Sequence, residues 1–322
     1  MLQFDRMMLG RQAKELGFVR DTYEKVCRLV DVLKFMETDS LLTNNLALKG
    51  GTAINLIVFD LPRLSVDIDL DYSKDASREE MLDDRKKIKE HIQKYMLASG
   101  YILSPKSKEY HALDSMVYEY INAGGVKDNL KIEINYMLRC HILPLVRRNI
   151  ELKGIGEKSG VLTVDPMEIY SAKIVALLNR AAPRDLYDTY NMQKFGLFGN
   201  DKKELFKKCI VFYTAIASEK VPKKFELNNI DRISAQKIKT DLLPVLNRAE
   251  KFDLNSAKKV VTEYLNGFLI LDVNEIEFWK SFSIGKYCPE LLFDGEIVSR
   301  IERHPMALWK CAKIIHDNQL SY

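Results

Sequence analysis

The chain lacks any run of 18 apolar residues, so no segment of it reads as a membrane-spanning helix. Its five cysteines (Cys27, Cys140, Cys209, Cys288 and Cys311) are scattered, odd in number and without a C-x-x-C pair. That spacing argues against a disulfide framework or a structural zinc, and predicts reduced thiols in a cytoplasmic protein. The five histidines are also dispersed and make no H-x-x-x-H pair. The opening stretch, MLQFDRMMLGRQAKELG, is broken by charge and does not read as a signal peptide. Internal repeats and low-complexity tracts are missing too, and a net charge of only +4 gives no whole-molecule argument for nucleic acid.

What is present is an ordinary globular composition, 47% hydrophobic and 29% charged over 322 residues, enough for two domains. Residues 12 to 37 carry apolar side chains at helical period, and LAL before Gly50 fits a strand. TAINLIVF reads as a short helix opening after two glycines. SVDIDLDY alternates strictly, with Val66, Ile68, Leu70 and Tyr72 on one face and Asp67, Asp69 and Asp71 on the other, which is the period of a strand. A charged amphipathic helix is predicted from Ser77 to Ser99, closed by Gly100, then strands at SMVYEYI and LKIEINYML. RRNIELKGIGEKSGVL reads as a connection rich in glycine and charge. Asp165-Pro166 with Glu168 then gives a helix start, with an N-cap, a first-turn proline and an acid near the positive helix end. From there the pattern is helical, with breaks expected at Pro183, Gly196, Pro222, Gly267 and Pro289. The expected fold is α+β: a mixed sheet with flanking helices over 1–160, then an all-helical domain over 161–322.

Charge is unevenly placed along this outline. Eight acids lie between Asp67 and Asp84 against Lys74 and Arg78, and seven lysines lie between Asp201 and Lys224 against three acids. Such zones are either solvated faces or the two halves of a protein that handles cations and phosphates. Carboxylates at i and i+2 of a strand share a face, so Asp67 and Asp69 make either a solvated strand face or a platform for Mg²⁺ carrying a nucleotide. Gly50 and Gly51 allow backbone amides to approach a ligand, and Thr52 begins a predicted helix whose amino end attracts anions; an ordinary tight turn is the alternative. Glu133, between Ile132 and Ile134, is a candidate third carboxylate, as proton acceptor or in a two-metal site. In EIYSAKIVALLNRAAPRDLYDTY, Lys173 and Arg180 lie on one side of a helix, Arg184 and Asp188 can pair at i,i+4, and Asp185 stands beside them. These cations would neutralise the β and γ phosphates and the leaving pyrophosphate; a surface helix with an ion pair is the plainer alternative.

Taken together, GGTA, RLSVDID and KIVALLNRAAPRDLYD resemble the AbiEii/AbiGii nucleotidyltransferase toxin family, of the DNA polymerase β-type superfamily. The segment LLFDGEIVSRIERHPMALWK is similar to that family's closing stretch, so the likeness runs from about residue 44 onward. The resemblance implies a nucleotidyltransferase-like fold in which the Lys173 and Asp185 helices contribute to the active site. It implies a toxin of a toxin–antitoxin and abortive-infection (phage defence) system, paired with a cognate antitoxin and using Mg²⁺ and an NTP. The expected acceptor is the 3′ end of tRNA or another RNA. Nucleotidylation of a protein target and a non-catalytic GTP- or NTP-binding regulator are the alternatives. Carried over by position, Asp67 and Asp69 would hold metal, while Gly50, Gly51, Thr52 and Ser65 would hold phosphate. Lys173 and Asp185 would form the later active-site pair, and Arg180 would add to nucleotide binding. Glu133 fits the third-acid position by strand context. The lysines from Lys202 to Lys224, interleaved with Leu205, Phe206, Phe212 and Tyr213, predict a helix with a basic outer side for the acceptor.

Overall fold

The structure is a computed structural model that describes residues 4–58, 62–150 and 159–319. The chain divides into two compact units. The first comprises Met1–Arg139, Leu145–Val164 and Pro244–Glu250; the second comprises Cys140–Pro144, Asp165–Leu243 and Lys251–Tyr322. The fold class is α+β, a mixed sheet with flanking helices and a helical carboxyl-terminal region.

The first unit opens with α1 (Arg6–Glu15), α2 (Arg20–Thr38) and α3 (Ser40–Asn45). The single helix expected over 12–37 is instead two, because Gly17 takes a left-handed φ of 74° between them. β1 (Leu46–Lys49) leads directly into α4 (Gly50–Ala53), which continues as a π turn over Ile54–Val58. β2 (Asp67–Tyr72) follows, then α5 (Arg78–Ala98), β3 (Ile102–Leu103), β4 (Lys108–Glu109), β5 (Leu113–Ile121) and β6 (Lys127–Asn135). A hairpin of β7 (Val146–Ile150) and β8 (Ser159–Thr163) completes the sheet. This hairpin replaces the irregular connection expected there, and 151–158 lie outside the described residues. An inferred boundary at residue 160 would fall inside β8, a strand that pairs with β1.

The sheet order is β3-β5-β6-β2-β1-β8-β7, with β4 paired to β5. Ile68 and Leu70 of β2, and Leu130, Ile132 and Ile134 of β6, form its buried centre. The polar residues alternating with them are left on the opposite face. α5 begins with a capping box between Ser77 and Glu80. It is fixed to β5 by a buried two-pronged pair, with Arg85 Nε and Nη2 at 3.1 and 2.7 Å from the Asp114 carboxylate.

The second unit contains α6 (Pro166–Arg180), α7 (Pro183–Lys194), α8 (Lys203–Ala217), α9 (Ala235–Lys237), α10 (Leu254–Phe268), α11 (Val273–Ser283), α12 (Gly295–Ile301) and α13 (Pro305–Gln319). Asp165 caps α6 by accepting from the Met167 amide at 2.8 Å. Glu168 does more than favour the helix start. It is buried, accepts from the Ile142 and Leu143 amides at 2.9 and 2.8 Å, and accepts from the Tyr213 hydroxyl at 2.5 Å. Gly267 does not break its helix, since α10 runs on to Phe268. Among the described residues no helix is long and apolar enough to cross a membrane.

Candidate active site

In the first unit the acidic strand end is built by register. β1 runs antiparallel to β2, and β6 runs parallel to β2 on its other side, so Asp67 lies opposite Lys131 and Asp69 opposite Glu133. Directly paired residues of neighbouring strands point to the same face. Asp67, Asp69 and Glu133 therefore share one, each half-buried. Lys131 Nζ lies 2.8 Å from Glu133 Oε1. Burial would lower the Lys131 pKa, but the hydrogen bond and charge of Glu133, together with the charges of Asp67 and Asp69, outweigh it and raise the value. The lysine thus registers a negative field at this strand end.

Asp71 behaves differently. It is buried and ion-paired to Lys49 of β1. Burial pushes its carboxyl above the usual range, and Lys49 only partly opposes this. It is a structural member of the strand.

The glycines pack against the same face. Gly50 has φ +67°, and a Cβ built there would lie 2.5 Å from Asp69 Oδ2. A Cβ on Gly51 would lie 2.9 Å from both Arg63 Nη2 and Ser65 Oγ. Only glycine permits this approach of the helix start to the carboxylate. Thr52 is fully buried and its hydroxyl donates to the Asp67 carbonyl, so that hydroxyl staples α4 to β2 and is not turned to a ligand. The amides of the first turn of α4 have no acceptor within the helix. Arg63 is buried and donates to the Leu64 carbonyl at 2.9 Å.

In the second unit Lys173 of α6 is enclosed by two carboxylates of α7. Its Nζ lies 3.1 Å from Asp185 Oδ1 and 2.9 Å from Asp188 Oδ2. Arg180 Nε lies 2.9 Å from Asp185 Oδ2. The Lys173 contact of Asp188 is one that the sequence did not suggest, and Arg184 Nε donates to the Asp241 carbonyl at 2.8 Å. The lysine-rich helix α8 is less basic than its sequence. Lys207 reaches across to the buried Glu275 at 2.9 Å, and Lys208 pairs with Glu204 at 2.8 Å.

A family model described as "Nucleotidyl transferase AbiEii toxin, Type IV TA system" matches residues 34–257. The chain belongs to this nucleotidyltransferase toxin family. It is thus a toxin nucleotidyltransferase of a type IV toxin–antitoxin system, with an NTP substrate and an antitoxin partner implied by that membership. The closing stretch 291–310 lies outside the matched residues. No curated protein matches the chain. Among solved structures it is similar in fold to MenT4, a nucleotidyltransferase toxin from Mycobacterium tuberculosis H37Rv. The two share 15% identity at a TM-score of 0.63, over 96% of this chain and 99% of that one.

Within this toxin fold, Gly50, Gly51, Ser65, Asp67, Asp69 and Glu133 come together in the first unit, and Lys173, Arg180 and Asp185 in the second. Lys131 and Arg63 are additions. Lys131 was visible in LKIE as a cation two residues before Glu133 on the same strand face, whereas nothing local marks Arg63 as buried. Among the described residues, no three acids, histidines or cysteines are grouped to hold an ion by themselves. Two carboxylates on one strand face, beside a backbone cradle that a Cβ would fill, nonetheless fit a hard cation that keeps phosphate oxygens and water as its other ligands.

Proposed function

We propose that this toxin transfers a nucleoside monophosphate from an NTP to an RNA hydroxyl, the 3′ end of tRNA being the preferred acceptor, in a Mg²⁺-dependent reaction that breaks the α–β phosphoanhydride and releases pyrophosphate. The observation that carries the reading is the close packing of Gly50 on Asp69, with Asp67 and Glu133 on the same face. Asp67 and Asp69 are the residues that would hold Mg²⁺. When bound, the ion neutralises phosphate charge and makes the acceptor hydroxyl more acidic.

The remaining steps fall to the chain's own groups. The amides at Gly50 and Gly51 and the Ser65 hydroxyl hold the triphosphate at the start of α4. Glu133, steered by Lys131, accepts the proton of the attacking hydroxyl. Lys173, flanked by Asp185 and Asp188, is the proposed cation for the negative charge that develops during transfer, and Arg180 supports nucleotide binding. The setting we propose is phage defence in the cytoplasm.

The test is incubation of the purified protein with total RNA and each labelled NTP, with and without Mg²⁺. Label should enter small RNA only with Mg²⁺, and both Asp67→Asn and Asp69→Asn should abolish it while remaining folded. Label in protein, label in nothing, or full transfer by both variants would overturn the proposal.

A further inference from the structure

The second unit holds a cavity of about 500 Å³ bounded by α6, the last turns of α8 and the segment 218–229. That volume lies in the range of small-ligand sites, roughly 300–1,000 Å³. Val175 and Leu178 supply apolar wall, and Thr214 is buried beside it with no partner for its hydroxyl oxygen among the described residues. The half-buried Phe225 ring packs at 4.9 Å and 60° against Trp279, whose indole N–H donates to the Val211 carbonyl at 3.0 Å. The ring is therefore held in place before any ligand arrives.

Two further contacts fix the rest of the segment. The buried Lys310 ammonium donates to the Ser218 and Glu219 carbonyls at 2.6 and 3.0 Å. Asn229 Nδ2 donates to the Leu178 carbonyl at 2.7 Å. Lys220 and Lys224 line the cavity from exposed positions, as do the acids Glu219 and Glu226.

We propose that this cavity takes one nucleotide of single-stranded RNA, with the base on Phe225 and its phosphate on Lys220 and Lys224. The proposal rests on the reading above that the acceptor is RNA. A fixed aromatic face is a stacking platform for any base, and lysines supply the phosphate charge. Glu219 and Glu226 repel phosphate but accept from base amino and ring N–H groups, so the base edge faces them and the backbone lies along the lysines. This assigns a role to the part of the lysine run that follows α8, whereas Lys207 and Lys208 within the helix are taken up by acids.

The experiment uses the full chain and a fluorescein-labelled single-stranded RNA octamer in an anisotropy titration at several salt concentrations. A 4-thiouridine version of the octamer maps the site by cross-linking. Phe225→Leu keeps apolar bulk against Trp279 but removes the stacking face, and should weaken binding about tenfold. Lys220→Ala/Lys224→Ala alters two exposed side chains, so the fold should survive; binding should fall and its salt dependence should flatten. Lys202→Ala/Lys203→Ala, exposed lysines that do not line the cavity, should bind as the parent does. Cross-links should map to residues 218–229. Unchanged binding in the first two variants, cross-links elsewhere, or no RNA binding by the parent would overturn the assignment. If the parent labels RNA while the cavity variants bind normally, the cavity fails and the transferase reading stands. If RNA is never labelled, that reading fails first.

Discussion

Gly50→Ala is the sharpest perturbation of the proposed transfer site, because two costs can be separated in it. The backbone cost comes from φ +67°, a left-handed conformation that penalises any L-residue by about 1–2 kcal/mol. The steric cost comes from the new methyl, 2.5 Å from Asp69 Oδ2 and 3.1 and 3.2 Å from its Cβ and Cγ. Asp69 must turn away, at about 0.5–1.5 kcal/mol for a side chain forced off its rotamer. Together the substitution should cost about 1.5–3.5 kcal/mol of stability. Gly100→Ala is the matched control, since Gly100 has φ +81° with nothing within 4 Å of an added Cβ. It should lose only the backbone share.

The two variants should then part company in function. With Asp69 displaced, Gly50→Ala should lose about 100-fold or more in transfer, the usual effect of removing a group aimed at developing charge. Gly100→Ala should transfer as the parent does. Denaturant unfolding gives the stabilities, and initial rates with labelled NTP give kcat/KM. Equal stability loss in the two variants, or near-parental transfer by Gly50→Ala, would refute the packing of this turn on a functional carboxylate.

Three other outcomes follow from the same geometry. Lys173→Ala leaves the buried Asp185 and Asp188 without their shared ammonium and should cost about 3 kcal/mol, whereas Lys173→Arg should keep most of that stability and still transfer poorly; parental kcat in the arginine variant would make Lys173 purely structural. Lys207→Ala should cost about 3 kcal/mol in denaturant unfolding by stranding the buried Glu275, while the exposed Lys203→Ala should change stability by less than about 0.5 kcal/mol; equal effects would place Lys207 on the solvated side. Burial pushes the Glu168 carboxyl from 4.5 up to about 7 against the three donors that favour its charge, so the folded state holds this proton more tightly than the unfolded chain. Stability should therefore fall by roughly 3 kcal/mol as pH rises from 4.5 through 7, and Glu168→Gln should flatten that slope; an unchanged slope in melting from pH 5 to 8 would count against the effect.

What the sequence made legible was what local chemistry determines. The D-I-D-L-D-Y alternation carries its own period, Ser77 and Gly100 bracket α5, and Asp165-Pro166 starts α6. What stayed hidden depends on partners far along the chain. β7 is polar along most of its length because its middle residues are exposed, so it looks like loop. Residues 244–250 belong to the first unit through the Arg63–Leu246 bridge and the Leu64 amide donating to the Val245 carbonyl, neither of which a local window can contain. The same holds for Lys207 and Lys208, adjacent lysines whose different acids lie on α11 and one turn back on α8. For Asp188 the i,i+4 rule named a nearby arginine, and the lysine on the preceding helix that meets it lay outside that rule.

The three aspartates of β2 would repel one another, and two neighbouring strands supply the partial compensation. The ammonium groups are Lys49 from β1 and Lys131 from β6. The cations are not shared evenly. Lys49 reaches the buried Asp71, where an uncompensated charge would cost most, and Lys131 reaches Glu133. Asp67 and Asp69 are the half-buried aspartates of this strand, and Asp69 is the one that Gly50 packs against. Under the proposed transfer, this half-buried pair is the one that would meet a divalent cation escorting a triphosphate, while Lys49 closes off the third aspartate.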